Sequence, residues 1–429
     1  MVSKEIIVEF QDIDPSGASV GNFENKKVLA FGVLPQEKVK VRIIKKKRNF
    51  LKGEVVEVIN KSPHRVLEKE NHYLSCSPWQ IFEYKFQIEL KKNILDNLFQ
   101  SFLKSKIPLE EFFISPKIFE YRTKIEFSFL EESNQYWLSF YKRENHREKI
   151  KLIEGCLLID KKVNSLAQEI LNFINKSKIT EPKALIARKS IKTEDTHFSL
   201  LTKKEQEVSF QDLNSVDNFV FAYSNPLSGA SNFDKILFSK GKEFIREEIL
   251  GQEFQYHYSS FFQNNIELFE KALEKMKENA HISNKIVDLY CGVGVIGISL
   301  KDFAKEIVGI DINSLSIDYA KINSFNNKVD NFKAFCLKSE KIETDFLKET
   351  DILVLDPPRS GISKKLIKII LKEKPKKIFY LSCNPLTQIQ DLAQLQENYF
   401  IKNFYAFDFY PNTPHFETLA ILEIKKEKK

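Results

Sequence analysis

From about residue 256 onward the chain alternates short apolar runs with helical stretches, and this rhythm restricts the fold more than any other feature. Phe262, Ile266, Phe269, Leu273 and Met276 recur at intervals of four and three, the spacing of a helix with one apolar face. The runs 286–290, 306–310, 352–355 and 378–381 follow, each apolar and too short for a helix. Buried strands separated by helices predict an α/β domain over 256–429, doubly wound and Rossmann-like. Such sheets bind ligands beyond the carboxyl ends of their strands, so the residues closing each run are where chemistry is expected.

The first run leads into Cys291-Gly292-Val293-Gly294-Val295-Ile296-Gly297. Glycines here permit a tight turn and let a ligand approach the backbone closely. The second run ends at Asp311, a carboxylate placed to accept both ribose hydroxyls of an adenosine. Taken alone, this pattern suits a dinucleotide as well as a methyl donor.

The third run ends in Asp356-Pro357-Pro358-Arg359-Ser360-Gly361. Asp356 is expected beside the glycine loop, with the prolines stiffening the turn. Arg359 is suited to hold a phosphate or a carboxylate, unless it merely pairs with Asp356. The fourth run ends in Ser382-Cys383-Asn384-Pro385. A cysteine is by default a small buried hydrophobe, which is the expectation for Cys336. Cys383 differs, because polar residues flank it and a helix is expected to start after Pro385, which lowers a thiol pKa. Glu417 closes the stretch beginning at Asp408 and precedes an apolar strand, where a charge is costly unless it is useful or paired.

A thiolate and a carboxylate in one cleft suit methylation at carbon 5 of uracil. That carbon is a poor nucleophile, but thiolate addition at carbon 6 creates an enolate that can accept a methyl group. A base must then remove the carbon-5 proton, and a carboxylate of modestly raised pKa serves.

The first 60 residues read as short strands broken by turns at Pro15-Ser16-Gly17 and Pro35-Gln36, and predict a small OB-like β-barrel. Between Lys38 and Lys52 lie eight cations, including Lys45, Lys46, Lys47 and Arg48, with Phe50 among them. They read either as a phosphate- and base-binding strand for RNA or as an edge strand kept soluble by lysines. Residues 61–255 predict a mixed α/β region with antiparallel pairing, suited to gripping RNA. The net charge of +7 adds little to this. Five widely spaced cysteines do not form a disulfide framework and point to the reducing cytoplasm. No leader-like start and no apolar run long enough to cross a bilayer is evident.

The motifs together resemble the RNA (uracil-5-)-methyltransferases. The residues that carry the resemblance are Phe262-Gln263 followed by Asn265, Asp288 to Gly297, Asp356 to Gly361, Ser382 to Pro385, and the stretch from Asp408 to Glu417. It implies S-adenosylmethionine as cofactor, Cys383 as nucleophile and Glu417 as base. Gln263, Tyr290, Asp311 and Asp356 match the family's donor-binding positions, with Gly292 and Gly294 in the loop between. Gln263 also fits a capping box with Ser260. The N-terminal segment resembles the TRAM domain, which implies 23S rRNA as the substrate, with tRNA as the alternative. Many relatives hold an iron–sulfur cluster through a CxxxxxCxxC run and a distant fourth cysteine. Here Cys76 and Cys156 match two of those positions, while Glu70 and Trp79 occupy the others. Cubane clusters normally need four thiolates, so no cluster and no metal is expected, and Cys76 and Cys156 are expected as free, neighbouring thiols. Two rival functions remain: an amino-methylating nucleic-acid enzyme, for which Asp-Pro-Pro is also suited, and a non-catalytic RNA-binding or assembly factor.

Overall fold

The structure, a computed structural model, describes residues 4–103, 109–143, 147–228, 232–338 and 344–426. Among these, no helix is long and apolar enough to cross a membrane.

The N-terminal strands Glu5–Ile13, Ser19–Phe23, Lys26–Ala30, Phe50–Asn60 and Lys38–Lys46 close, in that spatial order, into a barrel. Alternation builds it. Val39, Val41 and Ile43 turn into the core with Val8, Phe10 and Val28, while Lys45, Lys46, Lys47 and Arg48 face solvent. Residues 38–42 of the strand Lys38–Lys46 are paired on both sides, whereas Lys45 and Lys46 pair only with Phe50–Asn60.

The central region holds a seven-stranded sheet running from Lys235–Lys240 to Lys149–Lys151, mostly antiparallel, with one parallel pair between Thr196–Thr202 and Phe219–Tyr223. The helix Lys161–Lys176 lays Val163, Leu166, Ile170 and Ile174 on it, and Asp160 caps that helix by accepting the Lys162 N–H at 2.7 Å.

The C-terminal sheet has eight strands. Its spatial order is Phe332–Cys336, Ala304–Asp311, Ser283–Leu289, Ile352–Leu355, Lys377–Ser382, Glu417–Ile424, Tyr399–Phe407 and Glu111–Phe113. The first five are mutually parallel, and Glu417–Ile424 returns antiparallel between Lys377–Ser382 and Tyr399–Phe407.

Three expectations need correction here. Residues 84–113 were read with the central region, but the helix Tyr84–Phe102 buries Leu95, Leu98 and Phe99 in the core of the C-terminal sheet, and Glu111–Phe113 is that sheet's last strand. Gln263 does not sit in a capping box. The following helix begins at Ile266, and Asn265 caps it by accepting the Leu268 N–H at 3.2 Å. Cys336 is exposed, because its strand is the sheet's outer edge and it is the final residue there.

The helix Tyr84–Phe102 also fastens the segment leading to Glu417. Lys91 and Asp408 form an ion pair with both side chains fully buried, and Tyr84 donates its hydroxyl to the other Asp408 oxygen at 2.8 Å. Gln87 exchanges two hydrogen bonds with Asn412, each 2.9 Å. Removing one member of a buried pair strands the other charge. Lys91→Met is therefore expected to cost about 3–5 kcal/mol, read as a fall in the denaturant midpoint of unfolding.

Candidate active site

Strand register assembles the site. Ser382 pairs with Thr418 in antiparallel register, so Cys383, one residue beyond the first, lies beside Glu417, one residue before the second. Leu289 pairs with Leu355 on one side and Ile310 on the other, which sets Tyr290 between Asp356 and Asp311. Every candidate residue from the four strand ends thus lies along one rim of the sheet.

The glycine loop is shaped by two carboxylates. Asp311 accepts the Gly292 N–H at 3.0 Å and the Asn313 N–H at 2.8 Å. Asp288, buried one turn below, accepts the Gly297 N–H at 2.9 Å, while its second oxygen has no hydrogen-bond partner. Burial pushes the Asp288 carboxyl up to about 8. Tyr290 and Gly294 adopt left-handed backbone angles, φ 65° and 87°, which turn the chain sharply into the next helix. A methyl group added at Gly292 meets nothing within 4 Å, so this face of the loop is open. Gln263 is buried, with its side-chain oxygen unpartnered. A buried acceptor with no donor is a cost that a bound ligand's N–H or O–H groups remove. These features fit a nucleoside-bearing cofactor. Tyr290, Gly292, Gly294, Asp311 and Asp356 lie together at this rim and could hold one, and Gln263 offers its unpartnered acceptor as a further candidate.

The reacting end is drier. Burial pushes Asp356 up to about 7. Glu417 is 2% exposed, and burial, reinforced by Asp356, holds its carboxyl well above the ordinary range. Tyr410 faces it, hydroxyl to carboxyl oxygen, at 3.4 Å. The Cys383 thiol is pushed up to about 11, first by burial and then by Glu417, with Arg359 opposing. The expected lowering by the helix N-terminus is outweighed. The helix does start at Pro385, but desolvation and the neighbouring carboxyl dominate.

Arg359 does not pair with Asp356 as its main partner. Its guanidinium lies beside the Cys383 thiol, and its carbonyl accepts from Asn384 at 2.9 Å and Thr387 at 3.2 Å, tying the Asp-Pro-Pro loop to the cysteine's helix. Cys383 opens onto a cleft of about 210 Å³ lined by Pro15, Leu98, Arg359, Asn384, His415 and Phe416. Pro15 comes from the barrel. Its turn is docked on the catalytic segment, where the Gly17 carbonyl accepts the Trp79 indole N–H at 2.9 Å and any larger residue at Gly17 collides with Pro414. His415, held neutral by burial with a pKa near 3, is a cleft residue that sequence reading missed. Lys45, Lys46, Lys47 and Arg48 are exposed on the barrel and Phe50 is half-buried. None of them lines the Cys383 cleft.

The profile of the tRNA (uracil-5-)-methyltransferase family matches residues 83–425, and that of the TRAM domain residues 1–56. The chain belongs to the tRNA (uracil-5-)-methyltransferase family. As a member it is an S-adenosylmethionine-dependent RNA methyltransferase acting on carbon 5 of uracil. An uncharacterized RNA methyltransferase of Caldanaerobacter subterraneus is 28% identical, covering 99% of this chain and 100% of its own. One from Clostridium tetani is 27% identical, covering 98% of each. The crystal structure of Pyrococcus abyssi tRNA (uracil-54, C5)-methyltransferase in complex with S-adenosyl-L-homocysteine shares the fold of this uracil-5-methyltransferase. Its TM-score is 0.79 at 24% identity, covering 97% of this chain and 100% of that one.

Proposed function

We propose that the protein methylates carbon 5 of a uridine in RNA through a covalent bond between Cys383 and carbon 6. The observation that carries this reading is the register that sets Cys383 and Glu417 side by side at the sheet rim. An amino-methylating enzyme needs neither group, and an assembly factor has no use for a buried acid beside a thiol.

S-adenosylmethionine supplies an electrophilic methyl group when bound. Gln263, Tyr290, Asp311 and Asp356 are the residues that would hold it. Cys383 gives its proton up to solvent and adds as the thiolate to carbon 6, so that the C5–C6 π pair becomes an enolate at carbon 5, which would take the donor's methyl group as the donor's sulfur–methyl bond breaks. Arg359 stabilises the thiolate before attack. Once the sulfur is bonded to carbon, its negative charge no longer opposes ionisation of Glu417. Glu417 as carboxylate then takes the carbon-5 proton, the C–S bond breaks, and the thiolate is restored. The barrel and central sheet grip the RNA, and the target base is flipped out of its stack to reach the cleft.

Because the free thiol lies near 11, the rate is expected to climb with pH through the neutral range. Arg359→Ala removes a cation that favours the thiolate, so the thiol pKa rises and the rate falls at a given pH. A drop of about threefold to tenfold, constant through the neutral range and shrinking only as pH approaches 11, is expected in a pH–rate profile. Arg359 is exposed, so added salt is expected to narrow the gap.

The substrate we assign is 23S rRNA in the cytoplasm, with the basic barrel strand Lys45–Arg48 and Phe50 as the expected grip. A second reading, tRNA, is favoured by the description of the Pyrococcus neighbour, whose match extends over the barrel. Incubation of the protein with 23S rRNA transcripts and with bulk tRNA, followed by nucleoside analysis, separates the two. 5-Methyluridine in rRNA alone supports the assignment, in tRNA alone overturns it, and in neither overturns the uridine chemistry.

A further inference from the structure

Glu70, His72, Cys76 and Cys156 each place one ligand atom within 4.8 Å of the other three. They converge from two parts of the chain, the turn 70–76 and the loop before the helix Lys161–Lys176. We propose that these four residues bind a single zinc-class divalent ion, in a site that braces the catalytic segment from behind.

The unsatisfied histidine is the first reason. The His72 side chain is 1% exposed, and neither ring nitrogen has a hydrogen-bond partner. Its Nε2 lies 3.5 Å from a Glu70 oxygen, and the ring is stacked flat on Phe140 with centroids 5.3 Å apart. An imidazole held in a fixed plane, buried and unbonded, carries a cost that a metal bond removes.

The donor set is the second. Two sulfurs, one nitrogen and one carboxylate oxygen are the ligand types zinc takes in four-coordinate structural sites. Glu70 is already oriented from outside, since one oxygen accepts the Leu157 N–H at 2.6 Å and the other accepts from Gln80 at 3.0 Å. Such outer hydrogen bonds aim a ligand carboxylate while leaving lone pairs for the ion. Binding releases the two thiol protons, and zinc with two thiolates and a carboxylate leaves one net negative charge. Arg122, half-buried with its Nε unpartnered, lies among both cysteines and supplies the balancing charge.

Size and composition exclude the iron–sulfur cube that the sequence resemblance brings to mind. A four-iron cube holds its ligand atoms well beyond the separations here, and only two thiolates are present. Trp79, in the remaining family position, is buried and gives its indole N–H to Gly17. The proposal is thus one ion in place of a cluster.

The site has a path to the active site. The Trp79 backbone N–H donates to the Asn412 carbonyl at 3.0 Å, and the Tyr121 hydroxyl, next to Arg122, donates to the Pro411 carbonyl at 3.2 Å. A cavity of about 500 Å³ runs from Cys76, Arg122 and Cys156 to Thr413 and His415, the latter shared with the Cys383 cleft.

The test is metal content and spectroscopy on the full chain. Purified protein is stripped with a chelator and titrated with cobalt(II), then with zinc. One cobalt per chain is expected, with thiolate charge-transfer absorption and the strong visible bands of a tetrahedral ion, displaced by zinc. His72→Ala and Cys156→Ser are each expected to weaken the affinity at least about tenfold and to change the spectrum. Bound zinc is also expected to raise the wild-type melting temperature, a readout that needs no folded variant. Absence of saturable binding, an octahedral cobalt spectrum, or binding unchanged in both variants would overturn the proposal. So would iron and sulfide with a broad brown absorption after anaerobic purification.

Discussion

Glu417→Gln is expected to leave the protein covalently attached to its RNA. The amide cannot accept the carbon-5 proton, while addition by Cys383 and methyl transfer do not need it. Turnover should fall by about 10² to 10⁴, the range for losing a positioned general base. The methylated adduct should accumulate as a slow-migrating band on a denaturing gel with ordinary uridine-containing RNA. The environment supports the role. Burial holds the carboxyl well above its usual range, which makes it a stronger base once ionised, and Tyr410 faces one of its oxygens. A variant that turns over at nearly the wild-type rate removes Glu417 from the mechanism. One that loses activity without forming any adduct places it before the addition step.

Cys383→Ala carries the larger effect. Without the sulfur, carbon 5 is not activated, and methyl transfer should fall by on the order of 10⁴ or more, the scale of nucleophile deletions in covalent enzymes. RNA affinity should hold, because the basic barrel strand lies outside the cleft. A binding measurement beside the rate therefore separates chemistry from recognition. Equal losses in both would mean that the cysteine is structural.

Much of this site was legible because doubly wound sheets collect chemistry at one rim. Asp311, Asp356 and Cys383 each close an apolar run, and strand ends can be read from a single sequence. The position of Glu417 was less accessible. That it sits beside Cys383 depends on an antiparallel return between two other strands, a long-range pairing that local pattern does not encode. The same holds for Lys91, a lysine in a helix whose periodicity shows an apolar face but not its partner. Gln263 misled because Ser260 at the right spacing imitates a cap, whereas Asn265 is the residue that caps. Cys336 misled because a cysteine closing an edge strand is left without cover. His72 left no signal at all. Its spacing from Cys76 matches no cysteine run, and only folding brings Cys156 to it.

Trapping with 5-fluorouridine is the decisive measurement. Fluorine at carbon 5 cannot leave as a proton does, so Glu417 has nothing to remove and the C–S bond persists. The protein is incubated with 5-fluorouridine-substituted RNA and S-adenosylmethionine, denatured, digested, and the modified peptide identified by mass spectrometry. The predicted result is a methylated fluoronucleotide on the peptide containing Cys383, absent in Cys383→Ala. An adduct that forms as well in Cys383→Ala as in the wild type, or one mapped to another residue, would contradict the mechanism.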